Sequence, residues 1–433
     1  MNGIISKKNI LSAGVKITKK KIFIFITIIG IIYFALSYFS SNISGMDKYL
    51  NTKLDSDIEV TVIKKDGNKK SYNTNYFEKL DIGDKLILNI RMPEKKPFIN
   101  SSLCMKLYNC TVDIKYNDRL LYSYGHDQVK NNKQIGNVFV NIGLPDDAWG
   151  NDITVECYNY ENDSLDKVRN VLLFPTEMSL RYPIAGNELE FIFCMASVGL
   201  AIFVLVMVLL FGTFNKIERQ GFYLGVFVAT MGIWMLGFND MLYMIISETH
   251  IAANAEYVAL FFMPVPFCGF LMLGSEGKSR YIDKILLNIY SIFFIVATFL
   301  NFTTTIHYTK LVHVMRGLLA AGLIIVILVR IFVKQEINLN LDIIWMGIII
   351  SGAILLLDVL RFEISGVSPE FAKMFPYSFS VLGMFTFVFS LSGGYFAAIT
   401  SEMHHKKHLE KVAYLDGMTG VYNRTGAKKY LIK

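Results

Sequence analysis

Polar and ionisable groups set inside long apolar runs are the residues of this chain best placed to do chemistry. Asn239 and Asp240 lie in one such run, His313 and Arg316 in another, and Asp358, Arg361 and Glu363 in a third. A charge at the centre of a bilayer costs at least about 2.5–3.5 kcal/mol, so such groups face partners or a cavity. At a rise of about 1.5 Å per residue, Asp240, Arg316 and Asp358 each fall roughly 10 Å inside the outer boundary of their runs. Both signs of charge are then expected at one depth, and Asp358 and Arg361 share a helix face at i,i+3. The candidate site is Asn239, Asp240, His313, Arg316, Asp358 and Arg361. Its expected role is to receive a ligand or to couple an outer domain to the helices. A structural ion-pair network, or side chains snorkelling to the interface, are the plainer readings.

Two further clusters lie near the C-terminus. His404, His405 and His408 stand among Lys406 and Lys407. A phospho-accepting histidine would need a longer pair of dimerising helices than the spacing to Asp416 allows. A cationic flank drawn to anionic headgroups fits better. Met403, Leu409 and Val412 give a weak helical stripe, which suits a short signalling helix paired with its mate in a dimer. Then comes Leu415-Asp416-Gly417-Met418-Thr419-Gly420-Val421-Tyr422-Asn423-Arg424. Gly420 there can take a left-handed turn cheaply.

The elements that must carry these groups follow from composition. Of 433 residues, 53% are hydrophobic and 18% charged, with a mean hydropathy of +0.40. Apolar runs of about 20 residues account for this and can each span a bilayer as a helix. The first, 22–39, follows Lys7, Lys8, Lys16, Lys19, Lys20 and Lys21, much of the net +7 charge. Such a basic flank reads as cytoplasmic anchoring rather than nucleic-acid binding. Seven more runs are expected at 189–214, 221–246, 257–274, 285–301, 309–333, 342–364 and 375–399. Pro264 and Pro266 should kink the third of these. Lys216, Arg219, Lys278, Arg280, Lys284 and Lys334 gather in the loops expected inside, which puts both termini in the cytoplasm.

Between the first run and the rest, strand-like alternation prevails. Leu86, Leu88 and Ile90 alternate with Lys85, Ile87 and Asn89, and similar patterns recur at 111–116 and 153–158. Turn residues at Asp66-Gly67-Asn68, Asn117-Asp118 and Pro145-Asp146-Asp147 punctuate them. An all-β sandwich or jelly roll is expected. Of five cysteines, Cys104 and Cys110 share one extended region and stand too far apart to bond. Either could pair with Cys157, but free buried thiols are expected. No Cys/His spacing suggests zinc.

Three resemblances follow. Val112 through Gly125, and Leu144-Pro145 through Val155, resemble hairpins of galactose-binding-like jelly rolls. The whole layout resembles bacterial seven-transmembrane receptors with diverse intracellular signalling modules. Residues 415–424 resemble the opening of GGDEF domains, which make cyclic di-GMP from two GTP. That last resemblance implies an Asp416–Arg424 pair across a turn shaped by Thr419 and Gly420, with Asn423 bonding local backbone. It also implies Mg and GTP for an intact cyclase. No metal-holding D-x-D-x-F-K stretch or GG(D/E)EF turn is present, so this chain alone is expected to be inactive.

The expected organisation is therefore a basic cytoplasmic N-terminus (1–21), a transmembrane helix (22–39), an extracytoplasmic β jelly-roll sensor (40–187), a seven-helix bundle (188–399), a linker helix (400–414) and the start of a truncated GGDEF domain (415–433). The expected function is a bacterial multi-pass membrane receptor that senses a small extracytoplasmic ligand such as a carbohydrate, controls a diguanylate cyclase, and pairs as a homodimer to bring two cyclases together. No nucleic-acid partner is expected, and lipid surrounds the helices. A non-enzymatic receptor, a histidine-kinase receptor and a transporter are the alternatives.

Overall fold

The structure is a computed structural model that describes residues 58–72, 80–160, 169–184, 188–211, 216–246, 248–332 and 380–414, with a few positions around them (52, 54, 77, 347, 350–354, 357, 421–423 and 427). Among the described residues, the N-terminal half has nine strands: β1 (Ile58–Ile63), β2 (Lys69–Tyr72), β3 (Lys85–Arg91), β4 (Ser101–Tyr108), β5 (Cys110–Tyr116), β6 (Arg119–Tyr124), β7 (Asn137–Gly143), β8 (Asp152–Asn159) and β9 (Arg169–Pro175). One short helix, α1 (His126–Lys130), follows β6. The strands form two antiparallel sheets, ordered β2-β1-β3-β8-β5-β6 and β7-β4-β9.

Period-two alternation explains why these segments pair. In β3 the buried residues are Leu86, Leu88 and Ile90, and in β8 they are Ile153, Val155 and Cys157. They pack with Val112 and Ile114 of β5 against Leu103, Met105 and Leu107 of β4 and Val140 of β7. The outward residues of the large sheet satisfy one another. Glu156 binds Lys115 at 3.0 Å and Lys85 at 3.2 Å, and Thr154 donates to Asn89 at 3.1 Å. The β5–β6 hairpin turns on Asn117 and Asp118, both at positive φ (47° and 61°). Two such residues match the twist of the flanking strands, and Asn and Asp tolerate the left-handed region best.

The extended region expected to hold both Cys104 and Cys110 is broken at Asn109 (φ 49°), where the chain crosses between sheets. Cys104 faces a second small cluster with Leu172 and Phe174. Cys110 and Cys157 sit near each other in the main core. All five cysteines are buried and uncrosslinked. A 3-10 segment, Thr176–Ile184, covers the back of the small sheet through Met178 and leads into the helices.

The helices are α2 (Glu188–Phe211), α3 (Lys216–Phe238), α4 (Thr249–Phe262), α5 (Pro264–Gly274), α6 (Gly277–Thr303), α7 (Tyr308–Phe332) and α8 (Ser380–Tyr414). Counting α4 and α5 as one, six among the described residues are long and apolar enough to cross a bilayer. The chain is thus a multi-pass membrane protein. The runs expected at 22–39 and, for the most part, 342–364 lie outside the described residues. Proline acts where it was expected to: the third span breaks at Met263, immediately before Pro264. Between helices, small residues allow close approach. A Cβ on Gly225 would stand 2.6 Å from Leu205, and one on Gly232 would stand 2.8 Å from Val198, so α2 and α3 meet along a glycine seam.

Candidate functional site at the foot of the β-domain

The two halves of the molecule meet where β4 ends and β7 begins. Lys106 is in the last turn of alternation of β4 and points out of the main core, its neighbours Met105 and Leu107 pointing in. Its ammonium pairs with the Asp240 carboxylate, and both side chains are largely buried, at 15% and 18% exposure. It also lies over the Tyr108 ring, 4.3 Å from the centroid, where the ring's negative face favours a cation. Glu256 of α4 faces the same ammonium. One lysine of the β-domain therefore stands between carboxylates from two parts of the bundle.

Asp240 is positioned by the way α3 ends. Phe238 is the last residue of α3. Asn239 then donates its side-chain amide to the Met235 carbonyl at 2.9 Å, and Asp240 adopts φ 63° before a 3-10 turn, Met241–Met244. A left-handed residue ends an α-helix and redirects the chain. The expected 221–246 span is thus cut at Phe238, and Asp240 lies beyond the helix rather than about 10 Å inside it. The apolar turn after it, Met241–Met244, made the run look continuous.

Other contacts fix the same foot. Asn137, the first residue of β7, donates to Asp240 Oδ1 at 3.2 Å. Gly136 (φ 78°) lies so close to α4 that a Cβ there would stand 2.5 Å from the Ala253 Cβ. Tyr124 donates to the Ile135 carbonyl at 3.1 Å and reaches Thr249 and the His250 backbone in the first turn of α4. Burial pushes the Tyr124 phenol above its ordinary pKa, and burial pushes Tyr243, which nears the Asn137 backbone, higher still. Gly237 is needed on the helix side, because a Cβ there would stand 2.5 Å from that of Glu256.

The structure gathers only part of the expected polar site. Asn239 and Asp240 reach the junction. His313 and Arg316 are exposed on α7, next to the buried Val312 and Met315, and neither reaches the junction. Asp358 and Arg361 lie outside the described residues. Asp240 meets a strand lysine that sequence reasoning passed over. Lys106 in Met105-Lys106-Leu107 reads as any outward strand residue, and only its placement opposite Asp240 gives it meaning. Gly136, Asn137, Tyr243 and Glu256 were passed over for the same reason.

At the far end, α8 is a single helix of 35 residues from the bundle to Tyr414. Asn423 closes it. Its backbone N–H donates to Tyr414 O and its side-chain amide to Ala413 O, each at 2.9 Å. Final carbonyls of a helix have no partner within it, so Asn423 supplies what the helix lacks. Of the remaining motif residues, Asp416, Thr419, Gly420 and Arg424 lie outside the described residues. Among the described residues no three His, Cys, Asp or Glu side chains cluster as metal ligands would.

Compared with protein-family profiles, curated proteins and solved structures, the chain matches none.

Proposed function

We propose that this chain is the input half of a bacterial transmembrane receptor. In this reading the nine-strand domain is a jelly-roll sensor outside the membrane, and the helices belong to a seven-helix bundle with both chain ends in the cytoplasm. A small molecule, a carbohydrate among the candidates, binds the sensor or the outer bundle. The last helix passes the change to a diguanylate cyclase that begins near Asp416 and works as a pair. Mg and GTP would serve that cyclase, whose metal-holding groups are not among residues 1–433.

One observation carries the reading: the Lys106–Asp240 pair joins the β-domain to the bundle through largely buried charges. A domain that only hangs from a tether has no use for such a pair, because taking charges from water is costly unless they meet. A ligand that binds the two arrangements of this foot unequally shifts the balance between them. Coupling energies of about 1–3 kcal/mol, or 5- to 150-fold, are typical.

The test joins residues 1–433 in frame to a complete cyclase domain and measures cyclic di-GMP in membranes. Lys106→Glu and Asp240→Lys should each change output by about fivefold or more, and the double reversal should bring it back toward the parent value. If both single reversals insert normally and leave output unchanged, the coupling reading is wrong.

A further inference from the structure

The turn between α6 and α7 is tied to the footing of the β-domain by two linked side-chain amides, Asn254 and Asn301. Asn254 of α4 donates to the His250 carbonyl at 2.7 Å. Asn301, near the end of α6, donates to Asn254 Oδ1 at 2.9 Å, and its own Oδ1 accepts from the Tyr308 N–H at 3.0 Å. Tyr308 is fully buried, donates to Thr298 at 2.9 Å and stacks on Tyr257 of α4, with centroids 6.1 Å apart. His250 and Ala253, at the α4 end of this link, are the residues on which Gly136 rests.

His307 sits in the middle of this arrangement. It is 8% exposed, its Nδ1 is buried with no hydrogen-bond partner, and the Asn301 backbone lies near the ring. A neutral imidazole tolerates this, since a bare lone pair costs less than a bare charge. A protonated ring does not, because its new N–H has no acceptor. The ionisable surroundings offer little relief. On α7, Lys310 lies within repelling range, its ammonium donating to the Thr305 carbonyl at 2.9 Å, and His313 is exposed. From α4, Tyr257 stacks on Tyr308, and His250 lies 3.8 Å from Glu248. From Ile295 to Thr303, α6 has no ionisable residue.

We propose that this turn is a proton-operated latch: protonation of His307 opens it, frees Asn301 and Tyr308, and loosens α4 beneath the β-domain. The inference holds whatever output domain follows the bundle. Burial, with Lys310, holds the His307 pKa below its ordinary value of 6.5. A base depressed in the folded state leaves stability whole above its unfolded value, and the loss sets in as pH falls through about 6.5 toward the folded pKa.

Hydrogen exchange of the full chain in lipid nanodiscs, corrected for the intrinsic effect of pH, tests this across residues 300–310. Between about pH 7.5 and pH 5, exchange at the Tyr308 amide should rise about tenfold per unit of depression. His307→Gln, which keeps an amide but does not titrate, should hold this rise within about twofold. Lys310→Gln removes the repulsion and should move the opening midpoint to higher pH. A flat wild-type profile, or an equal rise in the glutamine variant, overturns the latch. Should His307→Gln fail to fold, an unmoved midpoint in Lys310→Gln overturns it instead.

Discussion

Asp84 is a buried carboxylate surrounded by donors. It is 1% exposed. It accepts from the Asp81 N–H at 2.8 Å, the Lys65 N–H at 3.0 Å and the Lys64 ammonium at 2.9 Å. Burial alone would raise its pKa, but these bonds outweigh burial and hold the carboxyl below its ordinary 3.8. A carboxyl depressed in the folded state contributes stability that is full above the unfolded value and is lost as pH falls through the folded one. Thermal unfolding of the full chain in detergent should therefore drop steeply below about pH 4. Asp84→Asn should cost about 1–3 kcal/mol at neutral pH, since it places an amide against donors, and should flatten that acid drop. Equal acid profiles for both proteins would assign the drop to other groups. Asp240 likewise meets two donors, the Lys106 ammonium and the Asn137 side-chain amide.

Elements were legible where one period ran unbroken. The alternation at 86–90, 112–116 and 153–157 became β3, β5 and β8, because the apolar half of each strand had one core to enter. The Asn117-Asp118 turn was legible because few residues accept its backbone. Helix ends were not legible, since hydropathy cannot tell Met241–Met244 from the helix before it, although the backbone turns at Asp240. The pairing of Asp240 was hidden for a different reason: it joins residues 134 positions apart, and no local pattern reports that. Gly136 tests this junction as a contact between elements. Its φ of 78° disfavours any side chain, and a Cβ would stand 2.5 Å from Ala253. Gly136→Ala should thus cost about 1–3 kcal/mol in backbone strain alone and raise hydrogen exchange in both β7 and the first turn of α4. Gly67→Ala is the control: its φ of 88° is similar, but a Cβ there has nothing within 4 Å. If the two variants loosen α4 equally, β7 does not rest on the bundle.

At the scale of the molecule, the foot of the β-domain and the capped end of α8 are joined through packed helices. Phe193 of α2 meets Phe385 of α8 at 5.1 Å, and Phe227 of α3 meets Phe387 at 6.1 Å. The α3 that ends at the Asp240 junction thus also touches the helix that leaves the bundle. Beyond its apolar window, Leu382–Ser401, α8 continues for about 20 Å at 1.5 Å per residue before Tyr414. A helix transmits rotation or tilt along that distance only while its hydrogen-bond ladder is continuous. Met403 is helical and 53% exposed, so its replacement disturbs little packing. Met403→Pro removes one ladder bond and adds a ring clash, at a cost of about 3 kcal/mol. In the cyclase fusion this variant should insert and fold its β-domain normally, yet cyclic di-GMP should no longer respond to the Lys106 and Asp240 reversals. Met403→Ala should keep the response. A response surviving in the proline variant would mean that the signal leaves the bundle by another route than α8.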